Sequence, residues 1–296
     1  MVTFDLSVQV DAPDNTWLND QYDVRGSVSD FEQYPLRYRA LSENALAVSA
    51  CYRDVSYGPG ANEKLDIFPA ATAAAPVFFF IHGGYWRALS KAGSAFMVPA
   101  LTQAGACVVV LEYDLVPTMD LDGIVDQVRR ALAWTHHHIV DFGGDPNRLF
   151  AAGHSAGGHL VGMLLADGWQ RQVGEPAEPL RGAIAISGLF DLQPLTQTFV
   201  NGWMRLDATA AKRNSPIQHF PRHGSAELLV CHGSLESKAF ARQSTAYLAA
   251  WQVQGLPGSS LVSPGINHFD VVLDLGDPTS GLFKAVCHLM QLSGHC

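Results

Sequence analysis

A serine held between two glycines, in Gly153-His154-Ser155-Ala156-Gly157, is the residue whose neighbours best fit it for chemistry. A serine hydroxyl is a weak nucleophile at neutral pH; it needs a base within hydrogen-bond reach, and the base needs an acid to orient it. The apolar run Leu149-Phe150-Ala151-Ala152 enters the motif, and a helical apolar pattern (Leu160, Val161, Met163, Leu164, Leu165) leaves it. That context predicts a strand, a tight turn and a helix whose free N–H groups and positive dipole end face the serine oxygen. The glycines have a steric reason, because a turn this sharp leaves no room for Cβ atoms beside the serine.

On such an elbow the partners follow the serine in the order acid, then histidine. Of the 12 histidines, His268 is the expected base, because it follows the last expected strand in Pro264-Gly265-Ile266-Asn267-His268. His219, His223, His288 and His295 fall in an insertion, a closing helix or the tail. The run His136-His137-His138 reads as a solvated helix segment, since consecutive helical side chains point in different directions. Asp191, Glu236 and Asp270 compete for the acid. Glu236 is preferred: it follows the strand before last and leaves room for one helix and one strand before His268. Asp191 suits a cap or turn, and Asp270 is too near His268 in sequence to reach its ring from the far side. His82-Gly83-Gly84-Tyr85-Trp86 ends another apolar run, and its glycines can turn N–H groups toward the serine. Gly83, Gly84 and the N–H of Ala156 are the expected oxyanion hole, in which loss of one donor typically costs ~3 kcal/mol of transition-state stabilisation. Tyr85, Trp86, His154, His159 and Trp203 are the expected substrate contacts.

The elements needed to position these residues are legible. Strands are expected over 51–57, 64–70, 76–81, 106–112, 149–152, 182–187, 227–232 and 259–263, with helices over 120–142, 156–166, 238–254 and 280–292. Such alternation implies a mostly parallel sheet with helices on both faces, with ligands beyond the strands' C-terminal ends. Residues 1–50 read as an N-terminal arm with a helix near 35–50; 51–296 form one catalytic domain, with an irregular insertion at 188–224. The arm and the insertion are expected to wall the pocket through Trp17, Tyr22 and Trp203.

At 296 residues and 48% hydrophobic, the chain can bury a large core, and a net charge of −9 without a basic cluster argues against nucleic acid. The five cysteines are scattered without C-x-x-C spacing, so neither a disulfide frame nor a zinc site is expected. The N-terminal MVTFDLSVQVD lacks the basic and apolar regions of a secretory signal, and no apolar run is long enough to span a membrane. The expectation is a cytoplasmic protein acting on a small molecule without cofactor or metal, binding neither nucleic acid nor membrane, with homo-oligomerisation left open.

HGGYW at 82–86, GHSAGGHL at 153–160, SGLFDLQPL at 187–195, EYDLVP at 112–117 and FGGDP at 142–146 resemble the kynurenine formamidase (arylformamidase) branch of the α/β-hydrolases, relatives of the hormone-sensitive-lipase type esterases. The resemblance runs from about Tyr52 to Phe269. It implies an α/β-hydrolase fold and hydrolysis of the formyl amide of N-formylkynurenine by a serine, acid, histidine triad without a metal. Ser155 would be the nucleophile, His268 the base, and Gly83, Gly84 and Ala156 the oxyanion hole. In the family the acid is normally aspartate; the corresponding position here holds Glu236. A general carboxylesterase, or a silent scaffold of the same fold that only binds a ligand, are the alternatives.

Overall fold

The computed structural model describes residues 15–174, 178–221 and 224–292. His223, His295, Cys296 and the loop residue Pro176 lie outside the described residues. The arm contributes α1 (Asn15–Tyr22) and α2 (Gln33–Val48); the sheet then opens with β1 (Tyr52–Ser56), β2 (Lys64–Phe68) and β3 (Ala75–Ile81). After α3 (Val98–Gln103) come β4 (Cys107–Leu111), α4 (Leu121–His138), β5 (Gly144–His154) and α5 (Ala156–Leu165). β6 (Gly182–Ile186) leads into the insertion with α6 (Asn201–Met204) and α7 (Ala208–Arg213); β7 (Glu227–Gly233), α8 (Lys238–Val253), β8 (Gly258–Ser263) and α9 (Gly281–Met290) complete the chain.

The strands form an eight-stranded sheet in the order β1-β2-β4-β3-β5-β6-β7-β8. β2 runs antiparallel to both of its neighbours, and every pairing from β4 to β8 is parallel. This is an α/β-hydrolase architecture, and β3 shows why it forms. All seven residues of Ala-Pro-Val-Phe-Phe-Phe-Ile are buried, and alternate side chains of a strand face opposite sides. Val77, Phe79 and Ile81 join the core that includes Leu121 to Leu132 of α4, Leu160 to Leu165 of α5 and Phe240 to Trp251 of α8. Phe78 and Phe80 join the opposite core, with Val98 and Leu101 of α3, Tyr38 of α2 and Leu282 to Met290 of α9. A strand covered on both faces cannot alternate polar with apolar, so it appears in the sequence as an unbroken apolar run. Each buried Phe contributes roughly 1.5–3 kcal/mol.

Parallel register brings the chemistry to one edge. Ile81 is level with Gly153, His154 with Ile186, Ile186 with Cys231, and Gly233 with Ser263. The turns after β3, β5, β6, β7 and β8 therefore open side by side.

Some expectations need correction. The helix expected to reach Phe142 ends at His138 and tightens into a 3₁₀ turn, Ile139–Phe142, closed by Gly143 at φ 83°. The insertion is built of short helical turns: 3₁₀ segments at Pro194–Gln197 and Pro216–Gln218 flank α6 and α7, and Asp207 caps α7 by accepting from the Ala210 N–H. Cys51, Cys107 and Cys231 are free thiols, but Cys287 is disulfide-bonded, against the expectation of no disulfide. Among the described residues no helix is long and apolar enough to cross a membrane.

Candidate active site

Ser155 sits between β5 and α5 at φ 56°, ψ −115°, a left-handed strain that a side chain other than glycine adopts only when its surroundings hold it there. Its N–H donates to the Ile186 carbonyl at 2.8 Å, and its own carbonyl accepts from the His159 N–H. The flanking glycines are required by contact. A Cβ on Gly153 would lie 2.4 Å from the Gly157 carbonyl oxygen, and one on Gly157 would lie 2.0 Å from that of Ile81.

Glu236 and His268, the expected acid and base, lie side by side. His268 Nδ1 lies 2.7 Å from Glu236 Oε2. A carboxylate can only accept, so Nδ1 carries the hydrogen and the neutral ring presents Nε2 as its basic nitrogen. Both side chains are almost wholly buried. The second carboxylate oxygen, Oε1, accepts from Ser187 Oγ at 2.6 Å and from the Gly233 N–H at 2.7 Å. Burial pushes the Glu236 carboxyl up. The charge of His268, with the hydrogen bonds from His268, Ser187 and Gly233, outweighs burial and holds it below the ordinary value. The rival carboxylates are engaged elsewhere. Asp191 accepts from the Gln193 N–H in its own turn. Asp270 meets Arg37, Tyr34 and Asn267.

The loop after β3 is rigidly built. His82 contacts the Gly83 carbonyl oxygen and Glu112 and stacks on Tyr113, whose hydroxyl donates back to the His82 carbonyl. Gly84, Tyr85 and Trp86 follow at φ 101°, 49° and 56°. A Cβ on Gly83 would come within 2.8 Å of the His154 carbonyl oxygen and 3.2 Å of Ser155 Cβ, so this backbone lies directly against the turn that holds Ser155. The N–H groups of Gly83, Gly84 and Ala156 find no acceptor among the described residues. Unpaired N–H groups grouped beside a serine are what a developing oxyanion requires.

Ser155 and His268 open into a cavity of about 350 Å³, lined also by Tyr34, Tyr85, Trp203 and Phe269. Two arginines stand at its rim, the Arg25 guanidinium 4.5 Å from the Phe31 ring centre and that of Arg87 4.2 Å from Trp203. Such volume and an aromatic lining with a few polar groups fit a small organic ligand.

The chain matches the BD-FAE family model over residues 65–250. Kynurenine formamidase of Salmo salar is 32% identical over 277 residues, covering 91% of this chain and 90% of that protein. That of Danio rerio is 33% identical, covering 85% and 86%. This chain belongs to the kynurenine formamidase family of α/β-hydrolases. A candidate thioesterase from Silicibacter sp. TM1040 has a similar crystal structure, with a TM-score of 0.80 at 29% identity, over 90% of this chain and 97% of that one. The chain is a serine-hydrolase-type enzyme of amide or ester bonds.

Within this family member, Tyr85, His154 and Trp203 line the cavity. The His154 Nε2–H donates to the His268 carbonyl at 2.8 Å, and burial, then the nearby His268 charge, lowers its pKa to about 3, which keeps the ring neutral. Trp86 and His159, expected at the substrate, are not lining residues. Trp86 is fully buried; its indole N–H donates to His159 Nδ1 at 3.2 Å, and the His159 Nε2–H donates to the Asn214 carbonyl at 2.7 Å. This pair ties the loop after β3 to α5 and the insertion. Trp17 is 41% exposed and away from the cavity, and Tyr22 lies behind the wall, its carbonyl accepting from the Tyr85 hydroxyl. The arm reaches the cavity instead through residues 23–38, among them Arg25, Phe31 and Tyr34. Ser187 and the rim arginines escape sequence reasoning. Ser187 follows a buried strand, a detectable position, but its partner is distant in sequence; nothing local marks Arg25 or Arg87. Among the described residues no cluster of His, Cys, Asp or Glu is arranged to hold a metal ion.

Proposed function

We propose that this chain hydrolyses the formyl amide of N-formylkynurenine or a close aryl formamide, with Ser155, His268 and Glu236 as its triad. One observation carries this reading: a strained Ser155, against whose turn Gly83 lies, and His268, paired with Glu236, open on one aromatic cavity. Ser155 Oγ attacks the formyl carbon while His268 Nε2 takes its proton, and the N–H groups of Gly83, Gly84 and Ala156 hold the oxyanion. The C–N bond breaks as His268 returns the proton to the aryl amine. Water, activated by His268, then releases formate and restores Ser155. Glu236 orients the ring and stabilises its cation through both halves. Arg25 and Arg87 at the rim suit a leaving amine that carries a carboxylate. A cytoplasmic site of action belongs to this reading: the free thiols of Cys51, Cys107 and Cys231 favour it, and the disulfide of Cys287 counts against it.

A carboxylesterase is the second reading, favoured by the cavity of about 350 Å³, which admits acyl groups larger than formyl. Turnover of N-formylkynurenine is to be compared with a p-nitrophenyl ester series. Higher kcat/KM on butyrate or longer esters than on formyl substrates rejects the formamidase. Ser155 labelling by a fluorophosphonate, lost in Ser155→Ala, separates both readings from a silent scaffold.

A further inference from the structure

Glutamate carries one more methylene and one more rotor than aspartate, so its carboxylate must be held against more rotational freedom to serve one histidine. Here both oxygens are committed: Oε2 to His268 Nδ1, Oε1 to the Ser187 hydroxyl at 2.6 Å and to the Gly233 N–H at 2.7 Å. Ser187 is the first residue after β6, fully buried, with its N–H donating to the Cys231 carbonyl at 2.7 Å. Its φ is 50°, a conformation in which glycine would be unstrained. A serine in a glycine's conformation points to a use for its hydroxyl, and Glu236 Oε1 is that hydroxyl's hydrogen-bond partner among the described residues.

We infer that Ser187 is a positioning residue that locks Glu236 in the rotamer serving His268. The hydroxyl is neutral, so it fixes the carboxylate without removing the negative charge that the His268 cation needs. Ser187 acts through Glu236 and is not among the residues that line the cavity. The inference rests on the triad proposed above.

The test is a double-mutant cycle on kcat and KM, with N-formylkynurenine and phenyl acetate as substrates. Ser187→Ala is expected to lower kcat about tenfold on whichever substrate turns over, leaving KM within about twofold. Ser187→Gly, which removes the hydroxyl and relieves the backbone, should match Ser187→Ala. In a Glu236→Gln background the Ser187→Ala change should have no further effect. Equal losses from Ser187→Ala in the wild-type and Glu236→Gln backgrounds, or recovery of wild-type kcat in Ser187→Gly, would overturn the inference while leaving the triad intact. Wild-type activity in Glu236→Gln would overturn triad and inference together.

Discussion

The Glu236 side chain spans from the turn after β7 to His268 Nδ1 at 2.7 Å while also meeting Ser187 and Gly233. Shortening it by one C–C bond breaks at least one of these contacts. Glu236→Asp is therefore expected to lose more than about tenfold in kcat, measured at saturating substrate; an aspartate variant as fast as wild type would show that the turn after β7 can close the gap. Buried histidines set a second behaviour. In the fold, burial lowers His154 to about 3 and His159 to about 4, whereas an unfolded histidine binds its proton near pH ~6.5. Between those values the unfolded chain holds more protons, so stability rises with pH and falls on acidification. Unfolding free energy from urea titrations should drop from about pH 6.5 toward about pH 4.5, by up to about 1.4 kcal/mol per pH unit for each ring. His159→Phe should flatten the slope by about one proton. It should also lower stability at neutral pH, because Trp86 and Asn214 lose their partner.

At the scale of elements, the elbow works because α5 lies against the end of β3 with no side chain between them. A Cβ on Gly157 would stand 2.0 Å from the Ile81 carbonyl oxygen and 2.8 Å from that of His82, both backbone atoms that cannot swing aside. Gly157→Ala must push α5 away from the end of β3 and the loop that follows it. The expected outcome is a loss of more than about 2 kcal/mol in stability by denaturant titration and no detectable fluorophosphonate labelling. Gly105 gives the contrast. A Cβ there meets no atom within 4 Å, so only its φ of 102° resists substitution.

At the scale of the molecule, the cavity is shared between parts far apart in sequence. Arg25 comes from the arm and Arg87 from the loop after β3, and the arm is fixed by Tyr38 donating to the Phe269 carbonyl, by Arg37 pairing with Asp270 and by Ser237 donating to the Gln21 carbonyl. If the rim selects a carboxylate, Arg25→Met with Arg87→Met should raise KM for N-formylkynurenine about tenfold and change KM for phenyl acetate less than about twofold; parallel rises in both would discount the rim. Ser155, His268 and the glycine turns were legible in the sequence as parts of one candidate site, because each follows from local pattern: a strained turn needs glycine, a doubly covered strand needs an apolar run, and the order of the turns follows from the alternation of elements. Trp86, His159 and Tyr22 were misplaced for the converse reason, since a ring beside the site, whether on a loop or a helix, can point into the cavity or behind its wall, and only packing chooses. Ser187 with Glu236, and Arg25 with Arg87, are pairs whose members are distant in the chain. The sequence by itself determined which residues could react; the tertiary structure decided which carboxylate is held against His268 and what lines the cavity, because those depend on distances between elements that local residue patterns do not encode.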